Sequence, residues 1–172
     1  KKELEEANRK LESLSRIDRL TGLYNRGFWE ESLKKETKRL QRNEGQSCLL
    51  MLDVDHFKRI NDAYGHSGGD AALRHIADVL KKTLRESDLI GRFGGEEFAV
   101  TLVDTDVEGG KIFAERVRKI MSESTIIFDN NQIKMTISLG LAPYNKSYVQ
   151  HEQWIADADK ALYYSKENGR NR

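Results

Sequence analysis

The stretch DLIGRFGGEEFAVTLV, residues 88–103, decides the fold because two β-type runs flank a pair of glycines. Both runs are rich in branched and aromatic side chains, which favour strands. Gly94 and Gly95 predict a tight hairpin between the runs, since a primed turn needs positive φ angles that glycine adopts without strain. The hairpin places two acidic residues, Glu96 and Glu97, directly after its turn.

Outward from this hairpin, the hydrophobic pattern alternates between helical and strand-like periods. Hairpins combined with helices on one face of the sheet favour an α+β fold over a doubly wound parallel sheet. In chain order, the predicted elements are a helix at 27–42, a strand at 47–55, a short helix at 57–63, a loop at 64–69, a helix at 70–85, hairpin strands at 88–93 and 96–103, a helix at 106–122, strands near 125–128 and 132–142, and a helix at 151–167.

Composition excludes several classes of protein. The chain has 172 residues, of which 38% are hydrophobic and 33% charged, and its net charge of +1 gives no overall bias toward nucleic acid or anionic membrane. Its single cysteine, Cys48, excludes an internal disulfide and fits a reducing compartment. Since no signal peptide or long apolar span is visible, we expect a cytoplasmic fragment without membrane contact. Because the chain begins at Lys1, we also expect a longer parent protein, which could carry a membrane anchor.

The first 17 residues form a separate, highly charged segment. Leu4, Ala7, Leu11 and Leu14 recur at 3-4-3 spacing, which is typical of a coiled coil, although only two heptads are present. One interpretation is a solvated amphipathic helix. The other is the end of a signalling helix from an upstream module, followed by a domain at 18–172.

Three acidic residues are candidates for chemistry. Asp53 and Asp55 end an apolar strand and project the same way, because side chains alternate with period two. A buried carboxylate is costly unless a cation or a hydrogen-bond partner compensates it. Carboxylates from Asp53 and Glu96, with a backbone carbonyl, are the ligands that Mg²⁺ prefers. The alternative is that these are exposed loop acids, as isolated D-x-D pairs commonly are.

Several separated motifs resemble those of one family in order and spacing. Together they cover the chain from about residue 16 to its end, and they identify it as similar to the GGDEF family of diguanylate cyclases. The segment at 94–98 is the GGEEF variant of the family signature, and the segments at 18–26, 53–58, 61–62, 65–66, 69–70 and 166–171 resemble its other motifs.

The resemblance implies a palm-like nucleotidyl cyclase fold with a mainly antiparallel sheet of about five strands, flanked by helices. It implies condensation of two GTP molecules into cyclic di-GMP and pyrophosphate. Asp53 and Glu96 would ligate two Mg²⁺ ions, or Mn²⁺, with the Val54 carbonyl assisting. Asp53, Glu96 and Glu97 would be the catalytic residues, although the sequence does not divide the roles of the two glutamates.

The resemblance also implies how GTP is bound. Asn61 and Asp70 would read the guanine edge, whose N–H groups suit a carboxylate and an amide. Lys166 and Arg170 are spaced i, i+4, so one helix face could present both to the triphosphate, although basic residues also end helices as dipole partners. The full implied set is His56, Phe57, Lys58, Asn61, His66, Asp70, Gly94, Gly95, Lys166 and Arg170, with His56 and Phe57 acting through main-chain N–H groups.

A second implied site lies upstream of the glycine pair. Arg85 and Asp88 match the family's R-x-x-D inhibitory motif, through which cyclic di-GMP would limit its own synthesis. The alternative is a charge pair at a helix end. The resemblance further implies a homodimer, formed through the N-terminal helix with face-to-face active sites, and an upstream sensory or receiver domain.

Three other functions compete with this interpretation. The first is an inert module that senses cyclic di-GMP or GTP, although all five signature positions fit an active enzyme. The second is a related enzyme specific for adenine, which Asn61 and Asp70 argue against. The third is a dimerisation domain alone, which would leave the acidic residues unexplained.

Overall fold

The structure is a computed structural model of residues 1–172, and it describes all of them except the side chains of residues 12 and 13. The described chain forms five helices and seven strands. The helices are α1 Lys2–Leu14, α2 Arg26–Arg42, α3 Phe57–Thr83, α4 Val107–Glu123 and α5 His151–Glu167. The strands are β1 Tyr24–Asn25, β2 Cys48–Val54, β3 Leu89–Arg92, β4 Glu97–Leu102, β5 Ile126–Phe128, β6 Asn131–Ile133 and β7 Ile137–Pro143.

Five strands make the central sheet, in the order β1-β3-β4-β2-β7. All its pairings are antiparallel except that of β1 with β3. Strands β5 and β6 form a separate hairpin. The predicted α+β fold with a mainly antiparallel sheet of five strands is therefore confirmed. Every residue of β2 is buried, because this strand lies between β4 and β7 with helices above and below it.

Helices cover both faces of the sheet, so the expectation of one covered face was wrong. On one face, α3 and α4 pack on side chains such as Leu50, Leu52 and Val100. On the other, α2 and α5 pack on Leu49 and Met51. Two apolar layers follow directly from β2, whose continuous run of apolar residues supplies side chains to both faces. None of the described helices combines the length and apolarity needed to cross a membrane.

Two of the elements predicted from the sequence also differ from those in the structure. The loop expected at 64–69 is helical, and α3 runs from Phe57 to Thr83 with a kink at Gly65, where φ is 72° and ψ is 176°. The strand expected at 132–142 is two strands, β6 and β7, separated by residues 134–136. The glycine-rich sequence of residues 65–69 suggests a loop, but Gly68 and Gly69 are buried and serve close packing within the kinked helix.

Candidate active site

The end of β2 meets the turn of the β3–β4 hairpin. In the register of β2 with β4, Asp53 lies opposite Glu97. Beyond the ladder, the Val54 N–H donates to the Glu96 carbonyl at 3.4 Å. Sheet pairing thus brings Asp53, Glu96 and Glu97 to one place, although Asp53 and Glu96 are 43 positions apart in the sequence.

These three acids, here called the acid cluster, are crowded and short of positive charge. Asp53 is 3% exposed, and among the described residues its Oδ1 atom has no hydrogen-bond partner, while Oδ2 accepts a bond from the Lys166 ammonium. Burial raises the pKa of Asp53 above its usual value. Burial first, and then the charge of Asp53, raise the pKa of Glu96 and of Glu97. Both glutamates therefore interact electrostatically with Asp53.

The acid cluster fits a hard divalent cation. Such ions take oxygen ligands, and a buried carboxylate oxygen without a donor is a group that a cation would satisfy. The cluster is open rather than tight. In the described part of the chain, one trio of histidine and acidic ligand atoms lies within 4.8 Å of one another, and it is Glu30, His151 and Glu152. In that trio the His151 ring nitrogens already pair with Glu30 at 3.1 Å and Glu152 at 3.2 Å.

Asp55 has a different role from Asp53. Its two oxygens accept hydrogen bonds from the Thr136 and Ser138 hydroxyls, each at 2.6 Å, and from the Asn171 N–H at 3.0 Å. Asp55 is 6% exposed, so these donors replace water around the charge. The second acid of the D-x-D pair therefore anchors the end of the chain beside the acid cluster.

The turn at Gly94 and Gly95 is held by a hydrogen bond from Arg92, and there is open space beside Gly95. The hairpin formed as predicted, but neither Gly94 nor Gly95 has a φ in the left-handed region, so the expected reason for glycine was wrong. A Cβ at Gly95 would meet nothing within 4 Å, so packing does not demand glycine there. The Arg92 guanidinium donates to the Gly95 carbonyl at 2.8 Å and pairs with Asp18 at 3.3 Å, which ties the turn to the entry of the domain.

The start of α3 borders the same space. His56, the N-cap, is left-handed with φ of 55°, and Phe57 is the first helical residue, so its N–H belongs to the unpaired donors of a helix start. The Asn61 Oδ1 atom is buried without a partner among the described residues. A Cβ on Gly69 would lie 1.9 Å from that atom, so the kinked helix packs Asn61 against Gly69, the residue before Asp70. Asp70 is half-buried, whereas Lys58 and His66 are exposed.

Lys166 and Arg170 do not share a helix face. Helix α5 ends at Glu167, and the next turn contains three left-handed residues, Gly169, Arg170 and Asn171, with φ of 112°, 59° and 48°. The i, i+4 spacing therefore does not apply, because the helix has already ended. Lys166 contacts Asp53, and Arg170 is exposed in the turn that Asp55 anchors.

Arg85 and Asp88 lie at the opposite end of the hairpin. The Asp88 side chain is 3% exposed, and it accepts the N–H groups of Arg85 and Val103, each at 3.1 Å. The Arg85 side chain is 59% exposed and donates to the Val103 carbonyl and the Thr105 hydroxyl, each at 2.8 Å. A cavity of about 550 Å³ adjoins Arg85, so its guanidinium is the accessible member of the pair.

Sequence reasoning missed several residues at the acid cluster. Arg92 and Asp18 are 74 positions apart and no spacing connects them. Asp159 interacts electrostatically with Glu97 and Lys166, and burial raises its pKa. Its position seven residues before Lys166, two helical turns, was a usable signal.

Comparisons of the sequence and of the structure with known proteins point to the same family. The family model described as "Diguanylate cyclase, GGDEF domain" matches residues 15–172. The "Probable diguanylate cyclase DgcC" of Escherichia coli K12 is 42% identical over 170 residues, which cover 98% of this chain and 45% of that protein. The chain thus spans less than half the length of this relative.

Two solved structures from Caulobacter crescentus are similar in fold. The GGDEF domain of DgcB in complex with c-di-GMP has a TM-score of 0.88 and 31% identity, covering 91% of this chain and 90% of the other. The coiled coil and GGDEF domain of DgcB, also with c-di-GMP, has a TM-score of 0.87 and 30% identity, covering 99% and 92%.

Proposed function

Because the chain belongs to the diguanylate cyclase GGDEF domain family, we propose that it condenses two GTP molecules into cyclic di-GMP and two pyrophosphates. One observation carries the proposal. A buried Asp53 oxygen that no described residue donates to lies beside two further acids whose pKa is raised, next to a glycine turn that leaves space for a ligand. Partly buried acids arranged in this way suit a cation–phosphate complex better than a packing role.

Asp53 and Glu96 would hold two Mg²⁺ ions together with the Val54 carbonyl, and bound Mg²⁺ would neutralise charge on the reacting phosphates. Mn²⁺ accepts the same oxygen ligands. The protein's own contribution is to keep these carboxylates in place at the end of a fully buried strand. Such positioning of charge is the main source of catalysis in phosphoryl chemistry.

The reaction joins the 3′ oxygen of one GTP to the α-phosphorus of the other. The bond from that phosphorus to the β-phosphate bridging oxygen breaks, and pyrophosphate leaves with the electron pair. The hydroxyl proton passes to a carboxylate, for which Glu96 and Glu97 are the candidates because both stand at the turn next to the end of β2.

GTP recognition would draw on both sides of the acid cluster. The Asn61 oxygen, which has no partner among the described residues, and the half-buried Asp70 carboxylate suit the N–H groups of guanine. The backbone N–H groups of His56 and Phe57, at the start of α3, would donate hydrogen bonds to phosphate oxygens. Lys58, Lys166 and Arg170 supply positive charge, His66 borders the nucleotide, and Gly94 and Gly95 permit its close approach.

Two domains must face each other, since one acid cluster serves one GTP. Helix α1 offers a contact surface, because Leu4, Leu11 and Leu14 are 69%, 64% and 76% exposed on it. Pairing of these helices would raise the effective concentration of the second active site.

We expect Leu11→Asp to reduce turnover about tenfold at low protein concentration and to leave GTP affinity within about twofold. Equal losses in turnover and in GTP affinity, measured side by side, would contradict pairing through α1.

Product inhibition would act at Arg85 and Asp88. The exposed Arg85 guanidinium can donate to the acceptors of guanine, while Asp88 holds the Arg85 backbone in place. The upstream helix would connect the domain to a sensory or receiver module.

The test is direct. The purified chain is incubated with GTP and Mg²⁺, and cyclic di-GMP and pyrophosphate are separated by chromatography. We expect the two products in a ratio of one to two, and no cyclic product from ATP, because Asn61 and Asp70 select guanine. GTP binding without product in either Mg²⁺ or Mn²⁺, even at high protein concentration, would instead support the inert sensing module.

A further inference from the structure

Lys166 is the cation whose charge reaches every acid around the candidate metal site. Its ammonium donates to Asp53 Oδ2, and it also interacts electrostatically with Glu96, Glu97 and Asp159. A second cation, Arg26, acts on Glu97 and Asp159 from the rim of the site. Its guanidinium carbon lies 4.2 Å from the centre of the Phe93 ring, and its side chain is 61% exposed. Lys166 is thus the cation in contact with Asp53.

We propose that Lys166 is a resident counter-cation that holds Asp53 before nucleotide binds and must release it before a divalent cation can bind fully. The proposal rests on the proposed function and concerns the same site. It assigns Lys166 a role toward the cation that differs from simple attraction of the triphosphate.

The physical reason is competition for one carboxylate. Lys166 occupies one Asp53 oxygen, and the other is buried with no hydrogen-bond partner in the part of the chain that the structure describes. A divalent ion at that second oxygen would lie within a few ångströms of the ammonium, where repulsion between a double and a single positive charge is substantial in a partly buried site. With Lys166 in place, the acid cluster is partly neutralised and its affinity for the cation is reduced.

The structure also shows how release could occur. The Lys166 side chain is 31% exposed and comes from the last turn of α5, so its flexible stem can move without disturbing the sheet. A triphosphate beside the start of α3 would offer Lys166 new anionic partners. Nucleotide binding would then free Asp53, and nucleotide and cation would strengthen each other's binding by equal factors.

The test measures cation binding without any reaction. Mn²⁺ is titrated into the wild-type chain, and free Mn²⁺ is followed by electron paramagnetic resonance, with and without a GTP analogue that cannot be cleaved at the α-phosphate. We expect Lys166→Met to bind Mn²⁺ about tenfold more tightly than wild type in the absence of nucleotide. The gain in Mn²⁺ affinity on adding the analogue should be large in wild type and small in Lys166→Met.

Matched variants separate charge from shape. Lys166→Arg keeps the charge and should bind Mn²⁺ like wild type without nucleotide. Adding Asp53→Asn to Lys166→Met should abolish the tighter Mn²⁺ binding of Lys166→Met, because Lys166 and Mn²⁺ compete for the Asp53 carboxylate. Thermal unfolding with and without Mn²⁺ gives a second readout, in which Mn²⁺ should stabilise Lys166→Met more than wild type. Lys166→Gln replaces the methionine variant should the latter fail to fold.

The outcomes separate this proposal from the proposed function. Mn²⁺ affinity of Lys166→Met equal to or below that of wild type, without nucleotide, would overturn the counter-cation role and leave the cyclase proposal intact. Unchanged Mn²⁺ binding in Asp53→Asn, with the nucleotide analogue present, would overturn the metal site itself and the proposed function with it.

Discussion

Asp53 and Asp55 stand two residues apart at the end of one strand, and both are buried, yet their surroundings differ completely. Asp55 accepts three hydrogen bonds from neutral donors. Asp53 has one oxygen held by Lys166 and one without a donor in the described structure. Burial is nearly equal, at 6% and 3% exposure, so burial does not distinguish the two acids.

The difference lies in how completely the chain replaces the water that each carboxylate lost. A carboxylate with a full set of donors is part of the scaffold, because any ligand would have to displace existing bonds. A carboxylate with a bare oxygen, among other acids, is stabilised by something that the chain itself does not supply. Asp53 belongs to the second kind, and Glu96 and Glu97 interact with it, so we assign the chemistry to the acid cluster and not to Asp55.

The largest expected effect is at the acid cluster, and it tests whether these carboxylates carry the chemistry. We expect Glu96→Gln to reduce cyclic di-GMP formation by about 10³-fold, because the substitution removes a charge that positions the reacting phosphates. Far-UV circular dichroism and the unfolding midpoint should be unchanged or slightly higher, since one of three crowded charges is lost. Glu31→Gln, at an exposed position on α2, is the control. Activity of Glu96→Gln within threefold of wild type would remove Glu96 from the cation site.

The next effect concerns Asp55, whose two oxygens both accept hydrogen bonds. Asp55→Ala would leave two hydroxyls and the Asn171 N–H without their acceptor, and we expect a loss of about 3 kcal/mol in the free energy of unfolding, at roughly 1 kcal/mol for each bond. Urea denaturation of the isolated chain measures this loss. Asp55→Asn keeps acceptor capacity and should lose less. If Asp55→Ala unfolds at the same urea concentration as wild type, Asp55 is not the anchor of the C-terminal turn.

Sequence reasoning predicted the elements that local rules control. The apolar run at 47–55 predicts the strand that carries Asp53, and the glycine pair between strand-like runs predicts the hairpin that carries Glu96. The length of the final helix, 151–167, agrees with the structure because its apolar spacing is regular. Each of these follows from the spacing of neighbouring residues along the chain.

The rest depends on contacts between distant segments. Thr136 and Ser138 lie more than 80 residues from Asp55, so no local pattern shows that they saturate it. Arg170 leaves the helix face because a left-handed run begins at Gly169, and the Asn171 N–H in that run is held by Asp55. The glycines at 68 and 69 permit close packing in a helix rather than forming a loop, which only the approach of Tyr64 and Asn61 reveals.

The smallest effect tests the electrostatics of the acid cluster by changing the pH. Burial and the charge of Asp53 raise the pKa of Glu97 in the folded chain above its usual value. At neutral pH the ionised Glu97 therefore weakens the folded state, and as pH falls through its raised pKa the folded state takes up the proton and this cost disappears. Glu97→Gln, with chelator present, should unfold a few degrees higher than wild type near neutral pH, and the gap should close as the pH falls toward 4.5, the usual pKa of a glutamate. The same comparison with Glu31→Gln should show no gap at either pH. A gap that stays constant or widens on acidification would mean that Glu97 is stabilised by partners in the folded chain, and that Glu97 does not share the unfavourable surroundings of Asp53.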